Sequence, residues 1–550
     1  MSHSRREFLK AASAAAVSLA AGQVPWPGLF PGERPRGVLP GLDAYPHAGE
    51  SDLRELAARA LDAARAAGAT YADVRFTLSR VEGIRFYGST MYGVFRDYEY
   101  AGVGVRCLVD GAWGFASSTL WSADEVARLA RESAAQARTN ARGRRRKIEL
   151  DPPPAPATGE WRTPIARDPF DVPVREKVEV AGAFIEHANR YNIGARNANV
   201  GAAMTTIWER KETTFASTDG AFISQTTYSA QPSFSVAVST PKGRAGRSSD
   251  LLQPRAGGFE VVSEARLVDE IPRLVEDALL MAEAERITPD RYDVVVDARL
   301  MAQLVGLTIG TAAELDRVLG YEANGAGTSY LAPPAEMLGK FQLGSELLNV
   351  RANRSQPGGL ATVRWDDEGV EPAEYDVIRD GVLVDYHTTR ELAGALSEWY
   401  GAQGRPVRSH GCASSEDALG VTIVQPPNLH MLPGSDATTL DDLASTLKKG
   451  LVICAGRVTV DRQQLNGEIN PEMVYEVRDG KRTKFLHSAE ALFRAPELWK
   501  SLKAIGGAGT QLWSGVEVRK GQPLQVCRFG VGAVPGLFEK MAVTDRMRKA

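Results

Sequence analysis

Four Asp-Gly dipeptides constrain this chain more than any other feature. Asp110-Gly111 lies within the apolar text of residues 102–117, and Asp219-Gly220 turns strand-like runs in the middle of the chain. Asp380-Gly381 joins residues 375–378 to 382–386, and Asp479-Gly480 joins 473–477 to 483–486. Such tight connections need positive φ, which aspartate and glycine tolerate, and their reach permits only antiparallel neighbours. The chain therefore cannot be an all-helical bundle or a purely parallel sheet. Because two of the dipeptides fall after residue 290, the last third is predicted to be mostly antiparallel sheet.

Helical periodicity fills the remainder. Ser51 is placed to cap a helix with the apolar face Leu53, Leu56, Ala57, Ala60, Leu61 and Ala64, which Gly68 ends. Val74, Phe76 and Leu78 then alternate with polar residues, as a half-buried strand does. Ser122 and Glu125 form a capping-box pattern, with Trp121 set to staple Val126. Later helices are read at Val178, Ala181, Ile185 and Ala188, and at Leu267, Ile271, Leu274, Ala278 and Met281. The proline-rich segment 151–163 marks a boundary. The predicted class is α+β: an N-terminal α/β domain (51–150), a central α/β domain (164–287) and a largely antiparallel β C-terminal domain (290–548). At 550 residues, 43% of them apolar, the chain can build more than one core.

The N-terminus carries an address. Ser4-Arg5-Arg6-Glu7-Phe8-Leu9-Lys10 precedes a short alanine-rich stretch, residues 11–22, and this resembles a twin-arginine export signal. Residues 1–30 are read as the signal and 31–50 as a Pro/Gly tether, which implies a periplasmic or extracellular destination. No stretch approaches the ~20 apolar residues of a membrane span. A net charge of -3 offers no field for nucleic acid, and the basic run at Arg142, Arg144, Arg145, Arg146 and Lys147 is read as a solvated linker face. The four cysteines, Cys107, Cys412, Cys454 and Cys527, are scattered without a Cys-x-x-Cys pair and are read as buried, unbridged residues.

The chemistry is concentrated in residues 292–331. A buried-type strand, Asp293-Val294-Val295-Val296-Asp297, leads into an apolar helix at residues 300–311. The segment Ala313-Glu314-Leu315-Asp316-Arg317-Val318-Leu319-Gly320-Tyr321-Glu322-Ala323-Asn324-Gly325 follows. With Ala216-Ser217-Thr218-Asp219-Gly220, Tyr386-His387-Thr388-Thr389-Arg390-Glu391, Asp461-Arg462-Gln463-Gln464-Leu465-Asn466 and Lys520-Gly521-Gln522-Pro523, it resembles the TldD/PmbA family of zinc peptidases. The resemblance covers nearly everything from about residue 52 to 545.

That resemblance implies a His-Glu-x-x-x-His helix whose imidazoles grip zinc while the glutamate takes a proton from the metal-bound water. Here the six positions read Gly306-Leu307-Thr308-Ile309-Gly310-Thr311. Gly306 and Thr311 replace the histidines and Leu307 the general base. A third ligand, a cysteine, falls at Val518, with Glu517 one residue away. Gly306, Leu307, Thr311 and Val518 offer at most a neutral hydroxyl, and Glu517 would add only a lone carboxylate with no imidazoles to help it, so no zinc cofactor is expected. His387, His410, His430 and His487 share no ligand-like spacing, and no Gly-x-Ser-x-Gly elbow occurs. His410-Gly411-Cys412 is the one nearby base and nucleophile pair.

Two roles stay open for Glu314, Asp316, Arg317, Tyr321, Glu322 and Asn324: capping and pairing within the fold, or lining a cleft where an extended peptide adds to a sheet edge. The resemblance implies a two-chain assembly, so the leading expectation is a zinc-free subunit acting on peptides beside a second TldD/PmbA-family chain or in a homodimer. The alternatives are a stand-alone peptide-binding protein and an active peptidase with an unrecognised site.

Overall fold

The computed structural model describes residues 50–87, 92–143, 146–152, 155–191 and 198–547. The segment read as an export signal, and the expected tether up to residue 49, lie outside the described residues. The first helix, α1 (Glu50–Ala66), already contains Ser51, so its start lies ahead of the expected cap.

Strands β1 (Tyr71–Tyr87), β2 (Tyr92–Val109) and β3 (Ala112–Ser118), helix α2 (Ala123–Gly143), strand β4 (Thr158–Arg162), helix α3 (Val174–Asn189), strands β5 (Asn199–Ser217) and β6 (Phe222–Ser239) and helix α4 (Leu267–Ala282) follow in order. The strands form one sheet in the order β3-β2-β1-β5-β6-β4. The expected division between residues 51–150 and 164–287 therefore does not separate two sheets. The long β1 is open on the side away from β2, and β5 pairs along it from Asp73↔Ser217 to Tyr87↔Ala203. Even the proline-rich boundary contributes, because β4 adds to β6 as a parallel edge. The two units survive as two helix layers with separate cores: α1 and α2 pack against β1–β3, and α3 and α4 pack against β5 and β6.

At α2 only half of the expected capping box forms. Ser122 Oγ accepts the Glu125 backbone N–H at 3.3 Å, whereas the Glu125 carboxylate is taken by Arg128. The polar face of β1, expected to meet solvent, is buried. Arg75 pairs with Asp367 at 2.8 Å, and Arg106 bridges Asp73 at 2.7 Å and Glu368 at 3.2 Å. These contacts dock the sheet on the C-terminal unit, so β1 is sandwiched on both faces.

The C-terminal unit opens with β7 (Asp290–Val296) and α5 (Ala298–Val305), and continues through β8 (Val350–Asn353), β9 (Tyr375–Arg379) and β10 (Asn428–Met431). It ends in β11 (Lys449–Val460), β12 (Asn466–Arg478), β13 (Ala489–Arg494), β14 (Leu512–Lys520), β15 (Gln525–Ala533) and β16 (Gly536–Asp545). β11 pairs with both β7 and β12, and the path β11-β7-β16-β13-β12 closes on itself, which leaves those five strands as a ring without a free edge. A second sheet runs β9-β8-β10-β15-β14. Most pairs are antiparallel; β7–β11 and β10–β15 are parallel. The whole is a mixed α+β fold with largely antiparallel sheets, as expected. Asp110, Asp380 and Asp479 and their glycines all take positive φ, whereas at Asp219-Gly220 only the glycine does.

Candidate functional site

Helix α5 turns its apolar face inward, with Leu300, Met301, Leu304 and Val305 fully buried between the ring and the second sheet, while on its other side Arg299 pairs with Asp250 and Gln303 donates to Gly456 O. Asp297 starts it, accepting the backbone N–H of Leu300 at 2.8 Å and of Ala455 at 2.7 Å. Burial pushes this carboxyl up to about 6, although both N–H groups work against the rise.

At its end the helix widens into a π-turn over Gly306–Gly310, with the Thr311 N–H reaching back five residues to Gly306 O at 3.0 Å. The turn is held by packing and by Thr308, whose Oγ1 donates to Leu304 O at 2.6 Å and accepts the Trp499 indole N–H at 2.9 Å. A Cβ on Gly306 would come 3.0 Å from Val516 Cγ2 and 3.3 Å from Phe529 Cε2, and one on Gly310 would come 2.7 Å from Leu429 Cδ1. Strands β10, β14 and β15 thus close directly onto the two glycines.

Leu307 and Thr311, about one helical turn apart, and Val518, far along the chain, line one cavity of about 310 Å³. Arg317, Arg462, Arg519, Asp461 and Leu524 are also on its wall. Gly306 is beside this space and presents no side chain to it. The Thr311 hydroxyl donates to Leu307 O at 2.8 Å. Asp461 is already saturated, accepting the backbone N–H groups of Gln463, Leu465 and Asn466 at 3.1, 2.9 and 3.2 Å. Cys527 is opposite Val518 across β14–β15, but it is buried and burial pushes its thiol up to about 12. Among the described residues no group of three or more His, Cys, Asp and Glu side chains is placed to hold a metal ion. The donors at this wall do not fit a zinc ion.

Beneath the cavity is a buried ionic cluster. Lys520, fully buried, donates to both Asp316 carboxylate oxygens at 2.9 and 2.8 Å and to Val424 O at 2.8 Å, and lies 3.1 Å from Glu314 Oε1. Arg317 Nε donates to Glu314 Oε2 at 3.0 Å, and its Nη1 to Ala326 O at 2.5 Å. Burial raises the Glu314 pKa against the pull of Lys520 and Arg317. Burial also acts to lower Lys520, but Asp316 and Glu314 outweigh it and hold the ammonium charged. Glu322 accepts the Gly521 N–H at 3.1 Å, fastening the same turn to the end of β14.

Of the six residues weighed for a peptide cleft, only Arg317 reaches the cavity wall. Glu314, Asp316 and Glu322 are buried in internal bonds, which is the folding role. Tyr321 and Asn324 are exposed, with the Tyr321 hydroxyl donating to Glu391 at 3.0 Å. Sequence reasoning quoted Lys520, Asp461 and Arg462 as landmarks without giving them a task, and gave none to Arg519 or Leu524.

The His410 and Cys412 pairing is not realised. His410 Nε2 lies 3.2 Å from Asp385 and its ring stacks on Tyr375 at 3.8 Å. The Cys412 thiol is 3.5 Å from the Tyr375 hydroxyl, is buried, and is pushed up to about 11 by that burial. A thiol held neutral and away from solvent is a poor nucleophile. All four cysteines are free and buried.

The PmbA/TldA metallopeptidase C-terminal domain matches residues 289–543, and PmbA/TldA metallopeptidase domain 1 matches residues 72–137. A metalloprotease of Methanothermobacter thermautotrophicus is 24% identical over 81% of this chain and 89% of its own length. One from Methanocaldococcus jannaschii is 22% identical over 76% of this chain and 86% of its own. TldE from Thermococcus kodakarensis superposes with a TM-score of 0.66 at 14% identity, covering 90% of this chain and all of that one. A Thermotoga maritima chain, proposed as a modulator of DNA gyrase, gives 0.66 at 16% identity over the same shares. By sequence and fold together, this chain belongs to the PmbA/TldD metallopeptidase family.

Proposed function

We propose that this chain is the zinc-free subunit of a two-chain peptidase assembly, exported with its partner and shaping a cleft for peptides that the partner cuts. One observation carries the reading. Where the family resemblance calls for two imidazoles, a glutamate and a thiolate, the cavity wall holds Leu307, Thr311 and Val518, and the space at Gly306 is taken up by Val516 and Phe529. Loss of the metal removes the activated water, and loss of the glutamate removes general-base help worth ~10²–10⁴-fold in rate. The folded scaffold around the cavity is intact, which suits binding without turnover. The twin-arginine pattern at Arg5-Arg6 supports export of an assembled pair to the periplasm or beyond.

The test is purification from the native source with metal analysis and a peptide-cleavage assay. The expected result is co-purification with a second family chain bearing an intact His-Glu-x-x-x-His, and cleavage that depends on that chain. Stoichiometric zinc in the isolated subunit, or chelator-sensitive cleavage by it alone, overturns the proposal. Recovery as a lone monomer that binds peptide without cutting it replaces the assembly with a stand-alone binding protein.

A further inference from the structure

We propose that the cavity at the former metal position is a carboxylate pocket, in which Arg462 and Arg519 hold the C-terminal carboxylate of a bound peptide against an apolar wall. The inference rests on the peptide-binding reading above and adds the part of the peptide that is recognised.

The charges on the cavity wall are unevenly committed. Arg317 is engaged by Glu314 and Ala326 O. Arg462 and Arg519 line the same space, and among the described residues neither guanidinium has an ion pair or hydrogen bond. The carboxylate of Asp461, on the same wall, is filled by three backbone N–H groups and the Asn466 side-chain amide at 2.7 Å. Below the wall, the cluster of Glu314, Asp316, Arg317 and Lys520 is balanced, two acids against two bases. What remains for a ligand is therefore two arginines against one occupied aspartate, a surplus of positive charge.

The rest of the wall is apolar. Leu307 and Val518 are half-buried there, and Leu524 stands 51% exposed at the cavity. An exposed leucine beside two uncommitted guanidiniums matches the end of a peptide, which offers a carboxylate and a side chain on one carbon. The volume, about 310 Å³, is at the small end of the ~300–1,000 Å³ usual for ligand pockets, so the pocket holds a chain end rather than a long extended segment. Guanidinium forks are suited to carboxylates, and such charge-assisted hydrogen bonds strengthen beside apolar surface, where water screens them less. Capture of a terminal carboxylate is an established mode of peptide recognition.

The test is calorimetric titration of the full chain, with chelator present, using the peptide Ala-Ala-Ala-Leu as free acid, the same peptide as C-terminal amide, and N-acetyl-leucine. The free acid is expected to bind about tenfold or more tighter than the amide, as the loss of a charged hydrogen bond predicts. The double substitution Arg462→Gln with Arg519→Gln should erase that preference without lowering the unfolding temperature, since neither arginine holds the fold together. Arg519→Lys, which keeps charge but not the fork, should lose part of it. Equal binding of acid and amide overturns the carboxylate pocket and leaves the peptide-binding reading standing. N-acetyl-leucine binding as tightly as the peptide overturns the peptide as source and assigns the pocket to small organic acids. No binding of either peptide removes both.

Discussion

Replacing Lys520 by methionine tests whether the buried ionic cluster holds the floor of the cavity. Methionine matches the length of the lysine stem and removes only the charge and its donors. The ammonium is surrounded by oxygens of Asp316, Val424 and Glu314 at 2.8–3.1 Å and is fully buried. Without it two buried carboxylates face Arg317 alone, and one negative charge has no counter-ion. Breaking a buried pair by removing one member costs about 3–5 kcal/mol. Against a total stability of roughly 5–15 kcal/mol, that is a large fraction. Urea unfolding followed by tryptophan fluorescence should show the C-terminal unit losing stability by about that amount. Adding Asp316→Asn to Lys520→Met removes the carboxylate that loses its partner and leaves Glu314 paired with Arg317 at 3.0 Å, so the double variant should be more stable than Lys520→Met by more than about 1 kcal/mol. A single variant within about 1 kcal/mol of the parent, or a double variant that is strictly additive, would show that these charges are not coupled as the distances require.

Two further outcomes follow from the same region. Burial holds the His387 imidazole down to about 3, with its Nδ1 bonded to the Tyr375 hydroxyl at 2.6 Å. The unfolded chain takes up that proton near pH 6.5 and the folded chain resists it, so stability is complete above about 6.5 and falls toward pH 3 by at most about 1.4 kcal/mol per pH unit. His387→Gln should flatten that part of the acid-unfolding curve, and an unchanged curve refutes the assignment. Gly306→His, which restores one ligand type, should destabilise by about 1–3 kcal/mol through overpacking against Val516 and Phe529, with no gain in zinc content measured by elemental analysis. A stable variant that takes up zinc would show that the space had not closed.

Local chemistry was the legible part of the sequence. Asp110-Gly111, Asp380-Gly381 and Asp479-Gly480 adopt the double positive φ that their residue types favour, because a two-residue turn is decided by its own backbone. The union of two predicted domains into one sheet was not legible. Pairing between β1 and β5 joins strands more than a hundred residues apart, and nothing in either strand names the other. The alternation in β1 places Val74, Phe76 and Leu78 inward; Val74 and Phe76 are buried, but Leu78 is only half-buried while its polar neighbours Thr77 and Ser79 are buried. Asp73 and Arg75 lie on the opposite face, which the alternation assigns to solvent; instead Arg75 pairs with Asp367 across a domain contact, and Asp73 pairs with Arg106 on the neighbouring strand, which reaches Glu368. Polar periodicity reports side-chain chemistry, and water and a charged neighbour satisfy it equally. At the site, Leu307, Thr311 and Val518 could be brought together only through family resemblance. Arg519 and Leu524 carried no signal, since a cavity wall is a tertiary fact.

The separation between the ionic floor and the wall above it bears on how the chemistry of the cavity can differ while the fold is kept. Lys520, Glu314, Asp316 and Arg317 satisfy one another without any ligand, and Glu322 ties the turn to Gly521, so the cavity floor does not depend on a bound cation for its shape. Leu307 and Val518, by contrast, are half-buried on the wall and make no polar bond through their side chains. Leu307 and Val518 pack against the core, so a substitution there acts through packing alone, whereas the charges below cannot be removed singly. The wall can therefore carry different chemistry over a fixed floor, and Leu307 and Val518 beside Arg462 and Arg519 present an apolar surface with positive charge rather than a set of metal donors.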